Sequence, residues 1–405
     1  MTYNLLLYGA TGYTGRLIAA EGQWMGMSRA EPRGDCRMVL AARNGAAVSR
    51  VARERSMDFR VFSLDNPPAI RRNLDAVDVV INAAGPFKFT AVPLAQAALD
   101  AGCHYVDING ELDVYVKLRD LASKDSASRL AIVSGAGASA AASDVLFVLA
   151  LQKLLRGQPL PQGLGAVRIA HSKVMDASRG SVLTAARLLH DEVIVARASK
   201  MAGCCECAGP SGPMVVCYEP VCKLERAFDF CRPNDDREAS AHSCSSRIAA
   251  AINAVDTLTA MYTVERLGLT ARAIESYLQM GTVDRFAYHF AATLSPLCAL
   301  PHLRGLMEAP LSLLPEGPSR KERDEDRHVI VIEIEDVFGS RVLEWKLQTP
   351  NVYQLTAQLV VAIATAVAHR PGAESMGWVT PADALGLAPF GVGSLRGCTL
   401  HARMG

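Results

Sequence analysis

The sequence predicts an α/β protein in which a doubly wound parallel sheet is followed by a second, α+β domain. Three observations point there. Short β-branched runs alternate with helical patterns over residues 1–140, a glycine-punctuated turn joins the first strand to the first helix, and the pattern changes after the Gly/Ala/Ser stretch "SGAGASAAASD". Such alternation is the layout of a parallel sheet covered by helices. A chain of 405 residues has length for two or three cores at ~100–200 residues each, and two domains are expected.

Taken in order, the strands are expected at Asn4–Tyr8, Met38–Ala42, Phe59–Phe62, Asp78–Asn82, His104–Asp107 and Leu130–Ser134. Helices fill the gaps at Thr14–Met25, Ala46–Arg55, Pro67–Leu74, Val92–Ala101 and Asp113–Ser126. A further helix, Ser143–Leu155, opens the second domain. Beyond "RGQPLPQG", whose Pro and Gly mark a surface turn, strands are expected at Ala166–His171, Met214–Val221 and His328–Val337, and helices at Ser181–Ala198 and Arg247–Leu267. Pro315–His328 reads as a solvated mixed-charge loop. The helix Val352–His369 is expected to pack back on the first domain, which gives domains at 1–140 and 141–348 and a returning segment at 349–405.

The formal net charge is +1, so no bulk field recruits nucleic acid or an anionic membrane. The opening "MTYNLLLYGATG" has neither a basic segment nor a small-residue cleavage site, and a cytoplasmic protein is expected. The apolar stretches at Leu359–Ala368 and from Phe286, the latter broken by Pro296 and Pro301, fall short of the ~20 residues of a membrane span. Eleven cysteines are an odd count, read as reduced thiols rather than a disulfide framework. Seven of them lie between Cys204 and Cys244, but "CCEC" is too tight and the set too irregular for a zinc ribbon; no metal is expected.

The turn "YGATGYTG" carries Gly9, Gly12 and Gly15, with Thr11, Tyr13 and Thr14 between and beside them. Glycines so placed between a strand and a helix turn the chain tightly and bring backbone N–H groups to a pyrophosphate, at the positive end of the helix. With a strand before it and a helix after it, the turn is read as the dinucleotide cradle of a Rossmann-type fold in preference to a merely structural turn. At the end of the second strand an acid would bind the ribose 2′-OH of NAD, and a base the 2′-phosphate of NADP. The chain has Arg43 and Asn44 there. NADP(H) is the expected cofactor, although a solvated arginine would look the same. After the fourth strand, Ala84, Gly85, Pro86 and Phe87 of "NAAGPF" form either a bed for a cofactor ring or a tight turn, and the two are compatible.

The stretch "CHYVDINGE" gathers polar groups where the fifth strand leaves the sheet. Tyr105 and Glu111 are the catalytic candidates, because a proton donor must lie within hydrogen-bond reach of the reacting atom. Asp107 and Asn109 are candidates for substrate binding or for capping the next helix, with capping favoured. In the second domain "RIAHSKVMDASRG" offers His171, Lys173 and Arg179 as a clamp for a carboxylate- or phosphate-bearing substrate. The Tyr-x-x-x-Lys pair of short-chain dehydrogenases, the phosphotransferase P-loop and H-E-x-x-H are all absent from the sequence.

With "YGATGYTG", "AARN", "NAAGPF" and "HYVDINGE" in this order, the chain resembles the saccharopine dehydrogenase-like family, including its bacterial trans-acting enoyl reductase relatives. The resemblance covers the first ~150 residues and is traceable at Ser178–Leu189, Thr349–Ala357 and Gly377–Gly386. It implies an NADP-binding domain, a second domain that supplies the substrate site and a homodimer contact, and hydride transfer to an enoyl C=C or an imine C=N of a small-molecule or carrier-bound substrate. Where relatives read "GFDSVPSD", this chain has "GAGASAAASD": the aromatic and the proline are gone while Ser143 and Asp144 remain. That departure implies a larger or different substrate. The alternative from another class is a non-catalytic nucleotide-binding scaffold or sensor.

Overall fold

The structure, a computed structural model, describes residues 2–30, 33–124, 129–157, 163–173, 193–198, 214–219, 225–230, 247–252, 254–281, 315–370, 377–386 and 395–404. The chain forms two compact units, Met1–Ala142 with Tyr353–Gly391, and Ser143–Val352 with Val392–Gly405.

In the first unit the elements run β1 (Tyr3–Tyr8), α1 (Tyr13–Trp24), β2 (Cys36–Ala42), α2 (Gly45–Arg55), β3 (Asp58–Val61), α3 (Pro67–Asn73), β4 (Val79–Asn82), α4 (Phe87–Asp100), β5 (His104–Asp107), α5 (Leu112–Lys124) and β6 (Ala131–Val133). The helix α6 (Ala138–Gly157) begins here and continues into the second unit. Sheet order is β3-β2-β1-β4-β5-β6, every pair parallel. The order reverses between β1 and β4, which is the switch point where ligands of doubly wound sheets collect. Leu5, Leu6 and Leu7 have no exposure at all; an unbroken apolar run is what a strand covered on both faces requires. Asn44 and Asn66 accept the N–H groups of Ala47 and Ala69 at the starts of α2 and α3, so polar residues set where those helices begin.

The second unit holds β7 (Leu164–His171), β8 (Val193–Ala198), β9 (Met214–Glu219), β10 (Glu225–Phe228), β11 (Arg247–Ala251), α7 (Val255–Arg266), β12 (Ala271–Gln279), α8 (Arg320–Glu325), β13 (Arg327–Glu335) and β14 (Arg341–Pro350). After it come α9 (Val352–Ala368), β15 (Gly377–Trp378) and α10 (Pro381–Leu385) of the first unit, and β16 (Thr399–Met404) of the second. The second sheet is mixed, in the order β10-β11-β12-β7-β13-β14-β16, with β8 and β9 branching from β12.

Several expectations are corrected. A seventh parallel strand, β15, joins β6 from the C-terminal part of the chain, so the first sheet has one strand more than the six expected. The returning segment divides: α9, β15 and α10 belong to the first unit, whereas β16 pairs with β14 in the second. Arg247–Ala251, expected as helix on its alanines, is a strand pinned between β10 and β12, and Val193–Ala198 is likewise a strand. The mixed-charge loop contains the short helix α8, started by a capping box between Ser319 and Glu322. Ala138–Arg156 has the length and hydropathy of a membrane span, yet 72% of its apolar window is buried inside the protein, as in a core helix.

Candidate functional site: a dinucleotide cradle at the switch point

Three strand ends meet at the carboxyl edge of the first sheet. Gly9 and Ala10 donate to the Ala41 carbonyl of β2 (2.9 and 3.2 Å), and Ala83 after β4 donates to the Tyr8 carbonyl (2.8 Å). Gly9 has φ +88°, and a Cβ there would stand 2.7 Å from the Ala84 nitrogen. A Cβ on Gly15 would stand 2.1 Å from the Gly9 carbonyl oxygen. These two glycines are therefore demanded by the fold itself. Gly12 is different: it is exposed, a Cβ on it would meet only the Gly9 carbonyl oxygen, at 3.4 Å, and as the N-cap of α1 it contributes no side-chain cap. Among the described residues no contact closer than 3.4 Å demands a glycine there, although glycine also suits an N-cap. The Gly12 N–H donates to the Gly9 carbonyl (3.0 Å), and its exposed, side-chain-free backbone at the start of α1 is of the kind that lets a pyrophosphate approach a helix N-terminus.

The flanking residues take distinct places. Arg16 donates to the Thr11 carbonyl (2.7 Å) and steadies the turn, and Tyr13 meets Tyr353 edge-to-face with ring centroids 5.2 Å apart. Thr14 is half-buried at the start of α1. Arg43 is exposed two residues past Ala41, the residue that bonds the glycine turn. Asn44 is exposed and its Oδ1 caps α2 by accepting the Ala47 N–H (3.0 Å). Across the turn, Ala84 donates to Asn82 Oδ1 (3.0 Å), Gly85–Pro86 is a cis peptide, Pro86 is the N-cap of α4, and Phe87 opens that helix.

The "HYVDINGE" residues form one buried network behind this loop. The Tyr105 hydroxyl, wholly buried, accepts from Asn82 Nδ2 (3.0 Å) and donates to Asp107 Oδ2 (3.1 Å). Asp107 Oδ1 accepts from the Asn109 and Gly135 N–H groups (both 3.0 Å) and from the Ser134 hydroxyl (2.9 Å). Asn109 Oδ1 in turn accepts the Glu111 N–H (2.7 Å). Burial pushes the Asp107 carboxyl up to about 6, against the pull of the hydrogen bonds it accepts from Gly135, Asn109, Ser134 and Tyr105. It holds the Tyr105 phenol well above its ordinary value, with the Asp107 charge adding to the effect.

Glu111 ends the chain of contacts. Its two carboxylate oxygens accept the N–H groups of Phe87 and Lys88, each at 3.0 Å, so it caps α4 from 23 and 24 residues away. Tyr105 and Glu111, expected as catalytic groups, are thus corrected to positioning groups: one lies in the interior, and both oxygens of the other are engaged by the α4 N-terminus. Asp107 and Asn109, candidates for substrate binding or, preferably, for capping, are 0% and 2% exposed and accept the N–H groups of Asn109 and Glu111 ahead of α5. Asn82 and Ser134 complete the network and were not foreseen. A polar residue closing an apolar strand was the available signal for each.

Of the three clamp candidates in the second unit, His171 and Lys173 fall within the described residues. His171 is buried, with Nε2 2.9 Å from Asp256 Oδ2. Lys173 is exposed and its N–H donates to Gln279. Arg179 lies outside the described residues, as do Cys204, Cys205, Cys207, Cys222, Cys231 and Cys244. Cys217 falls within β9.

Residues 5–133 match the family described as the saccharopine dehydrogenase NADP binding domain. The chain is 31% identical over 149 residues to a Mycobacterium tuberculosis protein that carries a trans-acting enoyl reductase name, a match spanning 35% of this chain and 34% of that one. It is 23% identical over 122 residues to the human saccharopine dehydrogenase-like oxidoreductase, spanning 27% and 28%. The chain thus matches about a third or less of the length of these relatives. Two solved structures share the fold at 12% identity: saccharopine dehydrogenase (L-Glu forming) from Saccharomyces cerevisiae, with TM-score 0.58 and full coverage of both chains, and homospermidine synthase from Legionella pneumophila in complex with NAD, with TM-score 0.60 over 100% of this chain and 92% of the other. Over residues 5–133 the chain is thus similar to the saccharopine dehydrogenase NADP binding domain, and over about a third or less of its length to the saccharopine dehydrogenase-like oxidoreductases and trans-acting enoyl reductases.

Proposed function

We propose that the protein is an NADP(H)-dependent reductase that reduces an activated C=C or C=N bond of a small-molecule or carrier-bound acceptor. The observation that carries this reading is Gly12, an exposed glycine at the start of α1 that no close contact among the described residues demands. Gly9 and Gly15 hold the turn, Gly12 and the first turn of α1 receive the pyrophosphate, and Arg43 faces the 2′-phosphate. The nicotinamide, when bound, supplies the hydride. The part of the chain's own residues is to orient: Glu111 fixes the start of α4, and through it the Ala84–Phe87 loop beside the cradle. A C=C acceptor is ranked slightly above a C=N.

Arg43→Ala tests the cofactor half of this reading. A charge-assisted contact to phosphate is worth ~1.4 kcal/mol or more, about tenfold in affinity. NADPH affinity is expected to fall about tenfold and NADH affinity to stay where it is. Equal losses for both would remove Arg43 from phosphate recognition.

A second reading, a nucleotide-binding scaffold without turnover, is favoured by one observation. The two side chains of the first unit best suited by sequence to move a proton, those of Tyr105 and Glu111, are committed to the fold. Oxidation of NADPH in the presence of an enoyl thioester or a cyclic imine separates the two readings.

A further inference from the structure

The second unit contains a chain of buried polar groups that the proposed function does not use. Val167, Ile169 and His171 share one face of β7, and His328, Ile330 and Ile332 share one face of β13, which pairs with it. Each apolar row thus ends in a histidine at the same end of the sheet. His171 Nε2 lies 2.9 Å from Asp256 Oδ2 in the first turn of α7, and its Nδ1 lies 3.2 Å from His328 Nε2. His328 Nδ1 lies 3.1 Å from the Ser172 hydroxyl, which accepts the Val329 N–H at 2.9 Å. The Ser143 hydroxyl of α6 bonds the other oxygen of Asp256. All five side chains are buried, and Ser172, at 8%, is the most exposed of them.

The donors and acceptors fit one another in a single order. With Asp256 ionised and both rings neutral, Ser143 and His171 Nε2–H donate to Asp256, His328 Nε2–H donates to His171 Nδ1, and Ser172 O–H donates to His328 Nδ1. Every ring nitrogen is then paired, as buried polar groups require. Of the two rings, His171 is the one with a carboxylate as neighbour, its Nε2 2.9 Å from Asp256 Oδ2. Burial, with His171 as a neighbouring like charge, pushes His328 down to about 3, so the charge does not rest there. To reach His171 the proton joins the Ser172 oxygen as the hydroxyl passes its own hydrogen to His328 Nδ1, and His328 passes the hydrogen on its Nε2 to His171 Nδ1. One proton enters, no electron moves, and His328 exchanges one tautomer for the other.

We propose that His171, His328 and Asp256 form a store for a single proton, loaded and emptied through the hydroxyl of Ser172. Reduction of C=C or C=N consumes one proton beside each hydride. Using the store for that purpose rests on the reductase reading; the store itself does not. Among the described residues the groups that face His171 are Asp256 from α7 and His328 from β13, with Ser143 of α6 behind the first and Ser172, just past β7, behind the second.

Full-length protein labelled with 15N-histidine, followed by ring nitrogen NMR across an acid titration, tests the store without any substrate. While both rings are neutral, His171 and His328 are expected to carry their hydrogens on Nε2. As His171 becomes imidazolium, His328 is expected to move its hydrogen to Nδ1 at the same midpoint. Separate midpoints, or a His328 that keeps its hydrogen on Nε2 throughout, would overturn the proposal. Ser172→Ala removes a single hydroxyl and is expected to slow ring N–H exchange with solvent at least tenfold; an unchanged rate would remove Ser172 as the exit. NADPH affinity measured on the same samples reports the first unit separately. A chain that shows the paired switch but binds no NADPH keeps the store and loses the reductase reading, and a chain that binds NADPH without the switch does the reverse.

Discussion

At the scale of single residues, Asp107 shows how a polar group is kept in the interior of the first unit and at what cost. Its carboxyl accepts hydrogen bonds from Tyr105, Asn109, Ser134 and Gly135, yet burial outweighs them and its value rises from 3.8 to about 6. The folded form therefore holds a proton more tightly than the unfolded chain does. Stability contributed at this site is present below the unfolded value and falls as pH rises through the window from 3.8 to about 6, by up to roughly 3 kcal/mol. Asp107→Asn has no proton to lose. Its stability is expected to gain on the wild type as pH rises from 4 to 7, and parallel denaturation curves across that range would contradict the assignment. The Asx turns at Asp107 and Asn109 are of a kind that short polar side chains before a helix announce in a sequence. The destination of Glu111 was not legible, because its partners Phe87 and Lys88 lie in another helix.

At the scale of elements, the same glutamate joins α5 to α4. Pro86 stands at the N-cap of α4 and offers no side-chain acceptor, so Glu111 supplies from outside what a Ser or Asp would supply locally. Glu111→Ala is expected to lower stability by about 2 kcal/mol and Glu111→Gln, which keeps one acceptor, by about half of that. Chemical denaturation of the two variants checks the ranking; an equal loss would mean that side-chain bulk, not the acceptor pair, matters. Much of the first sheet was readable because β1, β2 and β4 are largely apolar runs and α2, α3 and α4 begin at Asn44, Asn66 and Pro86. Arg247–Ala251 misled because alanine favours helix, and pairing with β10 and β12 overrides that preference. The strand β14 did carry a signal in Leu343, Trp345 and Leu347 alternating with Glu344 and Lys346. The short β15 carried none: two residues have no period, and only its partner β6 makes them a strand.

At the scale of the molecule, two units are assembled from interleaved parts of the chain, with α9 to α10 closing the first and β16 closing the second. The dinucleotide cradle lies wholly within the first unit, where the family match also falls. Its steric logic makes opposite predictions for two glycines. Gly15→Ala puts a Cβ 2.1 Å from a carbonyl oxygen and is expected to cost ~1–3 kcal/mol of stability together with nucleotide binding. Gly12→Ala meets nothing closer than 3.4 Å, so it is expected to leave the melting temperature within a degree or two and still weaken binding at least tenfold, because the methyl occupies the space of the pyrophosphate. The measurement that bears most directly on the central claim is a fluorescence titration of the full chain and of Gly12→Ala with NADPH and with NADH. Micromolar binding of NADPH by the wild type, weaker binding of NADH, and loss of both in a Gly12→Ala protein of unchanged stability are the predicted result. Failure of the wild type to bind either nucleotide, or a Gly12→Ala that binds as well as the wild type, would contradict it.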